Sequence, residues 1–249
     1  MNATVNLNGQ ITDAASAAVS VFDHGFLFGE GVYETLRTYN ARPFLLDRHL
    51  RRMRASASSI ALRVPFDDAA FAWRIDETVE AARIVGERYV RLLVTRGVGE
   101  LSYDSASCPT PTVVVIVRPH AETPADLLTR GVSIIVSSVL RNHPKAINPL
   151  IKSNNLLNNA LAMQEALRRG ASEALMRNHR GEISECAQSN FFLVRAGQAL
   201  TPSLDAGLLE GVTRNFVFEV GAEAGIPVRE TMLRDADLDS ADEMFITST

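Results

Sequence analysis

The stretch Arg118-Pro119-His120-Ala121-Glu122-Thr123-Pro124 breaks both helical and strand periodicity, and it divides a chain of 249 residues in two. On either side, strand and helix signals are mixed without the regular alternation of a doubly wound parallel sheet. The expected fold class is therefore α/β. We expect a small N-terminal α/β domain over 1–118, an interdomain linker over 119–127 and a larger C-terminal domain over 128–249.

Within the first half, Asn8-Gly9 between the short runs 5–7 and 10–12 predicts a hairpin. A glycine-rich stretch at 25–31 leads into a strand over 32–39. Asp47 stands where it could cap a helix carrying Leu50, Met53, Ala57 and Ile60 on one face. A second helix is expected over 67–85, then strands over 89–95 and 112–117. In the second half we expect a strand over 132–138, a helix starting at Ser153 or Asn154 and closing at Gly170, and a hairpin over 174–186. A strand over 191–194, a helix over 212–224 and a strand over 244–247 complete the reading.

A hydrophobic fraction of 46% and a charged fraction of 22% describe an ordinary globular chain, not a disordered tail, a collagen or a disulfide miniprotein. The net charge of −4 argues against nucleic acid or anionic lipid as the main partner. Cys108 and Cys186 form no CxxC pair, so a reducing cytoplasm is the expected location. No apolar run approaches the ~20 residues of a membrane span, and the N-terminal residues lack the basic region of a signal peptide. His24, His49, His120, His143 and His179 are too scattered for a zinc site, and no metal is expected. Gly25, Gly29 and Gly31 do not make a dinucleotide fingerprint, and no phosphate-binding P-loop is present. The run Asp235 to Asp239 has Ser240 where a calcium loop needs glycine and Ile246 where it needs glutamate, so it reads as a solvated acidic turn.

Of 25 basic residues all but two, Lys145 and Lys152, are arginine. Guanidinium keeps its proton and cannot form an imine with an aldehyde, whereas an amine can. A lysine that survives in such a chain is a candidate for work arginine cannot do, although most single loop lysines are snorkelling surface groups. Lys152 has the better context: Pro149, Leu150 and Ile151 precede it, and apolar neighbours free an amine for Schiff-base chemistry. Glu185 enters an apolar strand and could hold a pyridinium proton; alone it reads equally well as a hairpin charge. Gly211-Val212-Thr213-Arg214 opens a helix with free N–H groups suited to phosphate, or simply caps it.

Order and flanks of these residues resemble one family, the class IV pyridoxal-phosphate aminotransferases. This family includes branched-chain and D-amino-acid aminotransferases and aminodeoxychorismate lyase. The resemblance rests on Phe28-Gly29-Glu30-Gly31-Val32-Tyr33-Glu34, on Leu46 to Met53, on Ile151-Lys152-Ser153-Asn154-Asn155, on Ile183-Ser184-Glu185 with Asn190-Phe191-Phe192, on Gly211 to Arg214, and on Ala241 to Thr249. It implies the type IV fold, pyridoxal 5′-phosphate in a cleft, and a homodimer or higher homo-oligomer acting on small amino and 2-oxo acids. It further implies that Lys152 forms the Schiff base and shuttles the proton. Glu185 would sit at the pyridine nitrogen, and Arg52, Val212, Thr213, Ser248 and Thr249 would hold the phosphate. Lys145 matches nothing and is expected at the surface.

For the substrate, Tyr89-Val90-Arg91 and Arg37 are similar to the branched-chain arrangement, and Tyr33 matches a position of the D-amino-acid branch. D-amino-acid enzymes grip the substrate carboxylate with an arginine and a histidine where this chain has Leu101 and Tyr103. Phe28 and Leu156 replace two branched-chain tyrosines, and Glu185-Cys186 is similar to the lyase. Relatives continue through a Glu-Ile-x-Pro stretch beyond the position of Thr249. The expectation is transamination from a branched-chain L-amino acid to 2-oxoglutarate. Tyr33, Arg37, Tyr89 and Arg91 would be at the substrate, with Arg37 and Arg96 the alternative carboxylate holders. D-amino-acid transamination, the lyase reaction and non-catalytic metabolite binding are the competing readings.

Overall fold

A computed structural model describes residues 2–249. The chain divides into two compact units, 1–122 with 151–155, and 123–150 with 156–249. Among the described residues no helix is long and apolar enough to cross a membrane.

The first unit comprises β1 (Thr4–Leu7), β2 (Gln10–Asp13), α1 (His24–Leu27), β3 (Gly31–Tyr39), β4 (Arg42–Pro43), α2 (Leu46–Ser59), α3 (Asp68–Ala82), β5 (Arg88–Thr95) and β6 (Thr112–Pro119). Its sheet runs β2-β1-β6-β5-β3-β4, antiparallel at every pairing. The Asn8-Gly9 hairpin forms as expected, both residues at positive φ. Period-two alternation gives the sheet two distinct faces. Val32, Leu36, Val90, Leu92 and Val94 are buried and pack with Leu50 and Met53 of α2 and Phe71 and Ile75 of α3. Each such side chain contributes about 1.5–3 kcal/mol on burial. The other face of β3 and β5 carries Tyr33, Thr35, Arg37, Tyr89, Arg91 and Leu93, all half-buried.

Helix α2 begins one residue before Asp47. Leu45, in the left-handed region, is its N-cap and makes no side-chain cap bond, so Asp47 lies inside the first turn instead of capping it. There its carboxylate meets the positive end of the helix dipole. Asp67 does cap α3, accepting from the Ala70 amide.

The second unit comprises α4 (Ala125–Arg130), β7 (Ile134–Val136), α5 (Leu157–Arg168), β8 (Glu173–Arg177), β9 (Ile183–Cys186), β10 (Asn190–Arg195), β11 (Gln198–Pro202), α6 (Val212–Ala224), β12 (Val228–Thr231), α7 (Asp235–Asp239) and β13 (Glu243–Thr247). It holds a three-stranded sheet, β7-β8-β9, and a four-stranded sheet, β12-β11-β10-β13. The helix expected from Ser153 or Asn154 starts only at Leu157, because 152–154 instead hydrogen-bond to β3, with an isolated bridge between Val32 and Ser153. The strand expected over 132–138 is reduced to Ile134–Val136. The acidic run 235–239 is a short helix rather than a turn, with the Asp237 carboxylate accepting from the Arg234 amide. The parallel pair β11 and β12 is polar and short, and no strand periodicity announced it.

Candidate active site

In the first unit, Lys152 is placed by its own backbone. The Tyr33 N–H donates to the Lys152 carbonyl at 3.0 Å, and the Asn154 N–H donates to the Gly31 carbonyl at 2.9 Å. The Lys152 N–H donates to Ser56 Oγ of α2 at 3.1 Å. The segment can approach this closely because position 31 is glycine: a Cβ there would lie 2.5 Å from Asn154 Nδ2 and 3.0 Å from the Val94 carbonyl. The Lys152 amine then lies 4.5 Å from the centre of the Tyr33 ring.

The Arg91 guanidinium lies 4.0 Å from the centre of the same ring, so lysine and arginine share one tyrosine. Burial raises the proton affinity of the Tyr33 hydroxyl and the nearby Arg91 charge partly opposes that. Arg37 stacks on Tyr39 at 4.2 Å and reaches the Glu122 carboxylate only at 3.7 Å; its Nε is buried without a partner. Tyr89 lies under Arg118 at 4.3 Å. The four expected substrate residues thus come from the half-buried face of one antiparallel pair. Arg96 does not join them. It is buried, donating to Glu30 at 2.6 Å and to the Ile60 and Ala61 carbonyls, and those contacts account for its guanidinium.

Arg52 is aimed by a residue the sequence reading passed over. Glu34, 0% exposed at a core-facing position of β3, accepts from Arg52 Nε at 2.8 Å and Nη2 at 2.6 Å and lies 2.7 Å from His49 Nδ1. Burial alone would raise the Glu34 pKa. The Arg52 and His49 hydrogen bonds outweigh it and hold the carboxyl below its ordinary value. A glutamate at an inward position of an alternating strand was the available signal. Ser56 gave none.

In the second unit, Glu185 is buried on β9, whose four residues are all buried. Arg141 Nε donates to Glu185 Oε1 at 2.8 Å, and Asn190 Nδ2 donates to Oε2 at 3.3 Å. Neither partner was anticipated; nothing near Arg141 in the sequence distinguishes it. The adjacent Cys186 thiol is pushed well above its ordinary pKa by burial and by the Glu173 and Glu185 carboxylates, so it is not a thiolate nucleophile.

Helix α6 starts after Gly211, an N-cap that makes no side-chain cap bond. A Cβ at Gly211 would lie 1.9 Å from Asn190 Oδ1, so glycine lets the helix start against the residue that holds Glu185. Thr213 Oγ1 lies 3.4 Å from Thr249 Oγ1 and 3.5 Å from the Ser248 carbonyl. Thr247 Oγ1 is buried without a partner. Val212 is buried, and Arg214 is locked to the Pro202 carbonyl and Glu230, both at 2.8 Å.

Each unit by itself carries groups whose chemistry fits pyridoxal 5′-phosphate: the first an amine suited to an aldehyde, the second a buried carboxylate suited to a pyridine nitrogen and a glycine-led helix start with nearby hydroxyls suited to a phosphate. Lys145, by contrast, is exposed.

The family model described as amino-transferase class IV matches residues 31–249. A putative branched-chain-amino-acid aminotransferase of Methanocaldococcus jannaschii is 38% identical over 247 residues, covering 98% of this chain and 84% of that protein. A D-alanine aminotransferase of Listeria innocua is 35% identical over 248 residues, covering 98% and 83%. Among solved structures, the branched-chain aminotransferase of Thermoproteus uzoniensis with norvaline superimposes with a TM-score of 0.92 at 31% identity, over 99% of this chain and 83% of that one.

Proposed function

The chain belongs to the class IV aminotransferases, a family that uses pyridoxal 5′-phosphate, and from that premise we propose that it moves an amino group from a branched-chain L-amino acid to 2-oxoglutarate. The observation that carries the reading is the Tyr33 ring with the Lys152 amine 4.5 Å from its centre and the Arg91 guanidinium 4.0 Å from it. A cation fixed beside the reacting amine can hold a substrate carboxylate while the amine-bearing carbon meets Lys152.

The cofactor, when bound, supplies an aldehyde that captures amines and a ring that withdraws electrons from the substrate's Cα. Lys152 would hold it at the aldehyde carbon and, once the substrate amine has displaced it, its free amine would take the proton from Cα and deliver it to that former aldehyde carbon. Glu185 keeps a proton on the ring nitrogen. Arg52, the amides and hydroxyl of Val212 and Thr213, and Ser248 and Thr249 hold the phosphate. Tyr33, Arg37, Tyr89 and Arg91 face the substrate. An apolar substrate side chain packs against Phe28 and Leu101, each buried methylene contributing about 0.8 kcal/mol. The loop bearing Leu101 and Tyr103 offers no arginine or histidine, which weighs against the D-amino-acid reading.

The test is a donor panel with 2-oxoglutarate. L-leucine, L-isoleucine or L-valine should outrun D-alanine and D-glutamate, and Arg91→Ala should narrow the margin. A faster reaction with D-alanine overturns the substrate choice, and pyruvate release from aminodeoxychorismate without transamination marks the lyase. Phe26, Leu101 and Tyr103 are 68%, 71% and 85% exposed, with Val21 also exposed on the same unit. Such an apolar surface supports a homodimer. Sedimentation velocity should show a dimer, and Phe26→Asp should weaken it. The free thiols Cys108 and Cys186 suit a reducing cytoplasm.

A further inference from the structure

Arg141 follows β7 and is fixed by its own amide, which donates to the Arg177 carbonyl at 2.8 Å. Its guanidinium is 9% exposed and Glu185 is 6% exposed at the side chain. Nε donates to Glu185 Oε1 at 2.8 Å. Nη1 donates to Asn158 Oδ1 at 3.1 Å and reaches Asn159 Oδ1 at 3.5 Å. Both asparagines are tethered: Asn158 Nδ2 donates to the Leu140 carbonyl at 2.8 Å, and Asn159 Nδ2 to the Ala187 carbonyl at 2.7 Å. Of these contacts, only the one to Glu185 carries the opposite charge. A buried ion pair adds little net stability over apolar residues of the same volume, so packing alone does not account for it.

We propose that Arg141 is a positioning residue for transamination, holding Glu185 as the carboxylate so that the proton shared with the cofactor's ring nitrogen rests on the nitrogen. The inference relies on the assignment of Glu185 to that nitrogen made above. A proton between a buried carboxyl and a pyridine has two resting places, the O–H of a neutral acid and the N–H of a pyridinium. The guanidinium stabilises the ionised carboxylate and not the neutral acid, so it lowers the proton affinity of the oxygen. Asn190, donating to Oε2 at 3.3 Å, acts in the same direction. The nitrogen keeps the proton, and the protonated ring draws electrons from the substrate's Cα more strongly.

The experiment uses the holoenzyme loaded with pyridoxal 5′-phosphate labelled with 15N in the ring, comparing wild type, Arg141→Met, Arg141→Lys and Glu185→Gln. In Arg141→Met the ring resonance should move towards that of unprotonated pyridine. Its kcat should fall about tenfold with KM little changed, a smaller loss than the ~10²-fold typical of a group touching the reacting atoms. Arg141→Lys, which restores the charge, should recover most of both. If Glu185→Gln moves the ring resonance and Arg141→Met does not, the Arg141 role is overturned and the Glu185 assignment stands. If neither moves it, the Glu185 assignment itself falls, and this inference with it. Should Arg141→Met fail to fold, Arg141→Gln, polar but uncharged, decides: a shift towards unprotonated pyridine supports the proposal, and a wild-type resonance overturns it.

Discussion

Each unit buries a glutamate against an arginine, but the two pairs are built differently. Both oxygens of Glu34 face Arg52, and His49 adds a third contact, with Glu34 itself 0% exposed. Glu185 takes one guanidinium N–H from Arg141 and one amide N–H from Asn190, on separate oxygens. Glu34 is an anchor that aims a cation, and the chemistry is expected of Arg52. At Glu185 the chemistry is expected of the anion, and the arginine serves it. The same ion pair, in two settings, has its working member on opposite sides.

The largest expected effect removes the amine and leaves both pairs intact. Lys152→Arg keeps the positive charge beside Tyr33 but cannot form an imine. Turnover should vanish, and borohydride treatment should leave no cofactor covalently attached in the intact-protein mass. Retained turnover would show that charge, and not the amine, is what this position supplies.

The comparison breaks or holds on Glu34→Gln and Glu185→Gln measured side by side. Glu185→Gln should cost about 10²–10³ in kcat, the scale of losing one preorganised electrostatic partner, with cofactor affinity little changed. Glu34→Gln should do the reverse. It leaves the Arg52 charge without its carboxylate and should cost about 3–5 kcal/mol of stability by urea titration, while kcat at saturating cofactor changes little. Equal losses of rate and stability in the two variants would mean that both pairs do one job.

The same pair sets an acid limit. Because the folded-state pKa of Glu34 is lowered, its stabilisation is present above the ordinary carboxylate range and is lost as pH falls below it. Acid unfolding of the wild type should therefore have a steep limb below the ordinary glutamate pKa, and Glu34→Gln should flatten it. Glu165 adds to that limb from the second unit: hydrogen bonds from Ser137 and Ser138 lower its pKa to about 2. Glu165→Gln should remove only its own share. An acid limb unchanged in both variants would move the linkage to other carboxylates.

Much of this was legible in the sequence where a local rule decides. The Asn8-Gly9 hairpin, the alternation of β3 and β5, and α6 after Gly211 follow from turn chemistry and periodicity. What escaped depends on contacts distant in the chain. Residues 153 and 154 read as a helix start, but backbone bonds between 152–154 and β3 hold them out of the helix and delay α5 to Leu157. Glu34 with Arg52 spans 18 positions and Arg141 with Glu185 spans 44, so neither partner could be read from its neighbours. Motif resemblance supplied the residues expected to touch the cofactor. It did not supply those that aim them.

The smallest effect separates the expected phosphate contacts of the two units. Arg52→Lys keeps a charge opposite Glu34 but loses the planar fork, so it should weaken cofactor binding by about 1.5–3 kcal/mol, the range of a charge-assisted hydrogen bond. Thr213→Val removes one neutral hydroxyl and leaves the first-turn amides of α6 in place. It should cost about 0.5–1.5 kcal/mol, a Kd increase of roughly tenfold at most. Fluorescence titration of the apoprotein with pyridoxal 5′-phosphate measures both. A larger loss in Thr213→Val than in Arg52→Lys would put the main phosphate hold in the second unit and leave Arg52 as Glu34's structural partner, reversing the roles drawn above for the first pair.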